Sequence, residues 1–304
     1  METGVIAVDD LAGPFDLQAT VESGQSYLWS RLDGKMYTTD DAYGGQAWYE
    51  TVVPPIDGVS DERAVVRARQ VDDDIEWEST TDAVPILTHL LRLDDDLAAI
   101  YDAAPDEPLF DRAFEAYRGM RLVRDPPFPC LISFICSAQM RVSRIHGMQQ
   151  RLASEYGETV EFDGRSYEAF PTPEALAART EAELRDLSLG YRAPYVQRTA
   201  EMIADGEADP ADAANREYEA AREYLTQFVG VGQKVADCVL LFSLGFLEAV
   251  PLDTWIRTAI EDHYPDCEQG NYTDTSRAIR TQFGGEYAGY VQTYVFHYLR
   301  NGGE

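Results

Sequence analysis

The sequence predicts an α+β protein, with an N-terminal antiparallel β-sheet packed on a mostly α-helical body. Three observations point there. Residues 1 to about 80 alternate apolar and polar in short stretches broken by turn residues, the period of half-buried strands. From Val84 onward the apolar residues recur at helical spacing. Near residue 230 two glycines interrupt that spacing and a new helix opens at once. At 304 residues, 45% of them hydrophobic, the chain can fill a large core or two packed ones. We place the division at 1–115 and 116–304.

Taken in order, Phe15-Asp16-Leu17-Gln18-Ala19-Thr20-Val21 has strand periodicity. Tyr27 to Leu32 and Lys35 to Thr39 flank Asp33-Gly34, a two-residue hairpin signal. Ala47 to Val53 and Arg63 to Val71 supply further strands. Val84 to Ala104 and Pro108 to Met120 are helical, interrupted by Asp94-Asp95-Asp96, an acidic run expected to be a solvated face. Asp125-Pro126-Pro127-Phe128-Pro129 makes a stiff connector that no helix crosses. One long amphipathic segment is expected over Leu131 to Tyr156. Thr172-Pro173 starts a helix, with Thr as N-cap and Pro at the first helical position. Thr180 and Glu183 have the spacing of a capping box. The pattern breaks at Gly190, and a last helix spans about Tyr287 to Arg300.

The densest stretch is 217–260. A helix over 217–228 runs into Val229-Gly230-Val231-Gly232-Gln233, and the next helix opens at Lys234. Glycine costs about 1 kcal/mol inside a helix relative to alanine, so two glycines two apart mark a turn. Backbone N–H groups at the mouth of the following helix, with its dipole, suit a phosphate. Asp253 follows Val250-Pro251-Leu252 at the expected N-cap of a third helix. An amine and a carboxylate at two helix entrances beside an anion clamp suit chemistry on a nucleic-acid strand.

Phe228-Val229-Gly230-Val231-Gly232-Gln233-Lys234-Val235-Ala236-Asp237-Cys238, followed by Val250-Pro251-Leu252-Asp253, resembles the helix-hairpin-helix DNA glycosylase superfamily. Within it, the likeness is to 8-oxoguanine DNA glycosylases of the eukaryotic type, and it extends over most of the chain. The resemblance implies a helix-hairpin-helix glycosylase body in which Gly230 and Gly232 bind DNA and Lys234 and Asp253 are catalytic. The segment Ser23-Gly24-Gln25-Ser26-Tyr27 is similar to a family segment whose glycine carbonyl approaches the damaged base. By the same resemblance Gln292 meets the edge of the extruded base, and Phe296 and Cys238 cover its two faces. Arg144, Tyr191 and Arg192 match residues that hold the orphaned cytosine. Gln139 stands where the family usually has an asparagine that fills the vacated stack. Trp255 stands where the family commonly has a phosphate-binding histidine.

The implied reaction begins with extrusion of the base, at a cost of a few kcal/mol. Lys234 attacks C1′ as the neutral amine, and Asp253 stabilises the cationic sugar. The resulting Schiff base permits β-elimination of the 3′ phosphate. A carbonyl at Gly24 would tell 8-oxoguanine, with hydrogen on N7, from guanine, with a lone pair there. Two rivals stay open. One is a glycosylase of the same superfamily for other oxidised or alkylated bases. The other is a non-catalytic helix-hairpin-helix DNA-binding protein, which needs neither Asp253 nor the pocket residues.

The net charge of −29 is unusual for a nucleic-acid binder. Of the 25 basic residues only Lys35 and Lys234 are lysine. An acidic surface adapted to a salt-rich cytoplasm accounts for both, because at molar salt the Debye length is about 3 Å. The four cysteines lack paired CxxC spacing, so neither a zinc site nor an iron–sulfur cluster is expected, nor any other metal or cofactor. No run of 18 apolar residues and no secretion leader is present. The expected partner is double-stranded DNA containing an oxidised purine, with no membrane. The protein is expected to be a monomer in the cytoplasm at the nucleoid, or nuclear in a eukaryote.

Overall fold

The computed structural model of the protein describes residues 1–38 and 44–303. A five-stranded antiparallel sheet, in the order β1-β5-β4-β3-β2, occupies the N-terminal part. Its strands are β1 (Glu2–Ala7), β2 (Ser30–Arg31), β3 (Tyr49–Val53), β4 (Ala64–Val71) and β5 (Asp74–Ser79). Central β4 is buried on both faces. Val66 and Ala68 point into the core under the sheet, while Val65 packs on Phe162 and Tyr167. Those two residues belong to a separate hairpin, β6 (Thr159–Phe162) and β7 (Arg165–Glu168).

The helices are α1 (Leu17–Glu22), α2 (Val84–Leu90), α3 (Leu97–Ala103), α4 (Pro108–Ala116) and α5 (Pro127–Ile135). They continue with α6 (Val142–Tyr156), α7 (Pro173–Ala177), α8 (Glu181–Leu184), α9 (Ala193–Ala204) and α10 (Tyr218–Leu225). The last four are α11 (Gln233–Phe242), α12 (Thr254–His263), α13 (Tyr272–Gln282) and α14 (Ala288–Arg300). Among the described residues no helix is long and apolar enough to cross a membrane. Arg121 is fully buried and joins the layers, donating to the carbonyls of Arg92, Asp95 and Ala12 at 2.7–3.0 Å.

The caps form where the sequence places them. Thr172 accepts from Ala175 N, Thr180 and Glu183 make both bonds of the capping box, and Asp253 accepts from Ile256 N at 2.8 Å. Four expectations are corrected. The 15–21 segment is not a strand but runs into α1, capped by Asp16, whose side chain accepts from Ala19 N at 2.8 Å. Its period-2 pattern misled because α1 is enclosed on two sides: Leu17 and Val21 enter the core under the sheet, Ala19 the helical core. The Asp33-Gly34 hairpin does not form. Asp33 takes the Arg31 guanidinium and Lys35 N–H, Tyr37 N–H goes to Glu22, and β2 pairs with β3 instead. Thr39, the end of that expected strand, lies outside the described residues.

The expected long helix over 131–156 is two. Pro126 is the N-cap of α5 and Pro127 its first residue, so the prolines begin the helix and not just a connector. The helix ends at Ile135, where the Ser137 hydroxyl takes the Phe134 carbonyl at 2.7 Å. Gln139 then adopts a left-handed backbone, φ 54°, before α6 restarts. The acidic run is also more than a solvated face. Asp96 caps α3, and Asp95 accepts from the Tyr290 hydroxyl at 2.6 Å while sitting 3.7 Å from Arg92.

Candidate active site

The site begins at the turn between α10 and α11. Gly230 has φ +86°, and a Cβ there would lie 2.8 Å from the Tyr195 side chain. Glycine is required twice over, by conformation and by the α9 residue behind it. Gly232, the N-cap of α11, has an ordinary φ of −92° and open space where a Cβ would go. No side chain caps α11, and Gly232 and Gln233 are exposed. The helix entrance therefore presents its first amides and dipole outward, as anion binding needs. From behind, Thr199 Oγ1 donates to the Val229 carbonyl at 3.1 Å. Asp237, fully buried in α11, accepts from the hydroxyls of Tyr218 and Tyr272 at 2.7 Å each and so ties α10, α11 and α13 together.

Lys234 leaves the first turn of α11 half-buried. Its Nζ donates to Ser137 Oγ at 3.4 Å and lies 5.5 Å from the centre of the Phe134 ring. Cys238, one turn on, is buried beside it. Burial pushes that thiol up to about 11, against the nearby Lys234 charge, so the thiol stays neutral at ordinary pH. Asp253 also faces this space. Burial raises its carboxyl above the usual range, while Lys234 and the N–H groups of Ile256 and Trp255 pull the other way. A helix entrance by itself favours the anion, but here desolvation outweighs the dipole. The Tyr27 hydroxyl, raised first by burial, lies within electrostatic reach of Cys238, Arg300 and Asp253.

The other residues expected to meet the base come from opposite ends of the chain. Gly24 follows the C-terminal cap of α1, with φ +96°. On α14, Gln292 is buried and Phe296 half-buried, four residues apart and thus on one face. Arg300, a further turn along that face, donates to the Ser23 carbonyl at 2.5 Å, with its guanidinium 5.2 Å from the centre of the Phe296 ring. This arginine joins the Gly24 segment to the Phe296 side of the pocket.

A second group lies around the α5–α6 break. Gln139 and Arg144 are exposed there. Tyr191 is 54% exposed and meets Tyr195 edge-on at 6.3 Å, while Tyr195 backs Gly230. Arg192, matched to a base-holding arginine, is instead only 3% exposed. It donates to the Ala138 carbonyl and lies 4.3 Å over the Tyr191 ring, with its Nε lacking a partner. Ser137 touches Lys234, Ala138 touches Arg192, and Gln139 projects beside them, so one three-residue segment links both groups. Trp255 is 41% exposed in the first turn of α12. Tyr191, Val229 and Trp255 are three of the large apolar side chains left exposed. All four cysteines are free and buried, and no group of His, Cys, Asp or Glu among the described residues could hold a metal ion.

Sequence reasoning passed over Ser137, Tyr27 and Arg300. Arg300 carried a signal, the spacing of four beyond Phe296. Ser137 carried none, because its partner is 97 residues away.

The family described as HhH-GPD superfamily base excision DNA repair protein matches residues 132–283. The 8-oxoguanine DNA glycosylase N-terminal domain matches residues 8–131. A probable N-glycosylase/DNA lyase of Methanothermobacter thermautotrophicus is 31% identical, over 96% of this chain and 95% of its own. The N-glycosylase/DNA lyase of Saccharomyces cerevisiae is 32% identical, over 88% of this chain and 72% of its own. Among solved structures, the Clostridium acetobutylicum 8-oxoguanine glycosylase/lyase in complex with double-stranded DNA containing cytosine opposite 8-oxoguanine is similar, with a TM-score of 0.80 at 26% identity. That likeness covers 95% of this chain and 93% of the other.

Proposed function

The chain belongs to the HhH-GPD superfamily of base-excision DNA repair proteins, in its 8-oxoguanine DNA glycosylase branch, and on that premise we propose that it excises 8-oxoguanine opposite cytosine from duplex DNA and then cleaves the strand. One observation carries the reading: Lys234 and Asp253 stand at the entrances of α11 and α12, near enough for each charge to act on the other and on buried Cys238, one turn beyond Lys234. A non-catalytic DNA-binding module has no use for a desolvated carboxylate beside its only nearby lysine.

In this reading the oxidised base leaves the stack at a cost of a few kcal/mol. Exposed Gln139 and Tyr191 fill the gap, and Arg144 holds the orphaned cytosine. Arg192 joins it by adding a base contact to the Ala138 bond, or by exchanging that bond. The base enters between Cys238 and Phe296, with its edge on Gln292 and N7–H on the Gly24 carbonyl. Buried hydrogen bonds left unmade cost about 1–3 kcal/mol each, which is the source of discrimination against guanine. The lone pair of Lys234 Nζ then forms a bond to C1′ as the glycosidic C–N bond breaks and its electron pair leaves with the base. The Asp253 carboxylate faces the positive charge that develops on the sugar. The surplus Nζ proton passes to O4′ as the C1′–O4′ bond breaks and the nitrogen lone pair forms the C=N bond, which gives the protonated Schiff base. Removal of a C2′ proton then expels the 3′ phosphate.

Borohydride reduction tests the covalent step. The wild type should become cross-linked to a duplex carrying 8-oxoguanine opposite cytosine, and Lys234→Gln should lose both adduct and strand nick. A Lys234→Gln protein that still nicks at the full rate overturns the assignment. Repeating the wild-type reaction with each of the four bases opposite the lesion tests the cytosine preference.

A further inference from the structure

Arg300 stands at a junction that neither the motif nor the proposed chemistry uses. Its guanidinium donates through Nη1 to the Ser23 carbonyl at 2.5 Å and through Nη2 to the Glu22 carbonyl at 3.4 Å. These are the last residue and the C-terminal cap of α1, where a cation suits the unsatisfied carbonyls. Nη2 also lies 2.8 Å from His297 Nδ1. Burial and the Arg300 charge hold that imidazole neutral by lowering its pKa well below the usual value. The Nδ1 lone pair is then free to accept. The guanidinium plane is also packed over Phe296, 5.2 Å from the ring centre. The guanidinium is thus held between α1 on one side and α14 on the other.

The next residue is Gly24. A Cβ there would fall 2.9 Å from Arg300 Nη1 and 2.9 Å from Val142 Cγ1, so the arginine fills the space a side chain would take. On the far side, the Gln25 amide is anchored: it donates to Ser23 Oγ at 2.9 Å and to the Arg121 carbonyl at 3.0 Å, and accepts from Val123 N at 3.1 Å. The Gly24 peptide units therefore hang between two fixed points. A glycine at φ +96° has no side-chain restraint of its own, and its carbonyl direction is set by whatever holds its neighbours.

We propose that Arg300 is a positioning residue for base discrimination: by bridging the Glu22 and Ser23 carbonyls while packed on Phe296, it fixes the direction of the Gly24 carbonyl relative to the base pocket. This rests on the proposed 8-oxoguanine reading, since it is the N7–H of that base that the carbonyl distinguishes. Arg300 touches no reacting atom. Its loss frees the 23–24 peptide and with it the φ of Gly24, so the 24–25 peptide, which carries the Gly24 carbonyl, can turn; the acceptor then no longer meets N7–H and no longer repels the lone pair of guanine.

The test measures equilibrium binding to matched duplexes carrying 8-oxoguanine or guanine opposite cytosine. It uses Lys234→Gln protein with and without Arg300→Met, so that no excision occurs. The ratio of the two dissociation constants does not depend on the fraction of active protein. Arg300→Met should lower that ratio about tenfold, the equivalent of about 1.4 kcal/mol. In the Lys234 protein, incision at a preformed abasic site, which needs no base contact, should lose far less. Arg300→Lys keeps the charge but cannot span both carbonyls in one plane, so its ratio should also fall; it serves alone if the methionine protein does not fold. An unchanged ratio in either variant, or a lysine that restores it in full, overturns the proposal. If the Lys234→Gln protein with Arg300 intact shows no preference for 8-oxoguanine, it is the proposed function that has failed.

Discussion

Asp253 caps a helix and, in the proposed reaction, supplies a charge, and the two demands pull in opposite senses. Its side chain caps α12 through Ile256 N, yet burial lifts its carboxyl above the ordinary 3.8. The sign follows directly. A carboxyl raised in the folded state binds its proton more tightly there than in the unfolded chain. Its stabilising share is therefore complete below 3.8 and is lost as pH rises through the folded value. Asp253→Asn keeps an N-cap acceptor and removes a desolvated charge. At pH 7.5 it should be at least as stable as wild type by chemical denaturation, while single-turnover excision drops by more than about tenfold, about 1.4 kcal/mol. A variant both destabilised and fully active would show that Asp253 is only a cap.

At the scale of elements, the α10–α11 turn separates two kinds of glycine requirement. Gly230→Ala places a Cβ at φ +86° and against Tyr195, so the fold should lose about 1–2 kcal/mol or more. Gly232→Ala meets open space at an ordinary φ, and its effect on stability should stay within about 0.5 kcal/mol. If a phosphate binds the entrance of α11 as proposed, the added methyl group stands in its way and DNA affinity should fall. Denaturation and duplex binding measured on both variants separate the two effects. Undiminished binding by Gly232→Ala would remove the phosphate from this helix entrance. The break between α5 and α6 belongs to the same scale, because an unbroken helix over 131–156 could not offer Ser137 to Lys234 and the Ala138 carbonyl to Arg192 together.

For the whole molecule the governing quantity is the net charge of −29. At low salt an acidic shell repels DNA and strains its own fold. Ordinary DNA binding weakens with salt through counterion release. Where the Debye length has shrunk to about 3 Å, near 1 M, the repulsion is screened, but short-range contacts such as the proposed amide–phosphate bonds and base stacking on Phe296 should persist. Excision should therefore rise with KCl to an optimum near or above about 1 M. Single-turnover rates across KCl, with circular dichroism at each point, separate folding from binding. Activity greatest at about 0.05–0.1 M, and falling above it in a protein that stays folded, would place this enzyme in the counterion-release regime and end the salt-adaptation account.

What the sequence by itself determined is what short-range bonds decide. The caps at Thr172, Thr180 and Asp253 each close within three residues, and Gly230 needs its left-handed turn whatever surrounds it. The same is true of the last helix, whose face sets Gln292 and Phe296 in line. The tertiary structure decided the rest. A period of two could not tell a strand over 15–21 from a short helix enclosed by two cores. Polarity could not show that Asp95 meets Tyr290. The approach of Ser137 to Lys234 spans 97 residues, and that of Arg300 to Ser23 spans 277. Such contacts exist only once packing has brought distant elements together, and the energy that selects them is shared over the whole core and belongs to no local pattern.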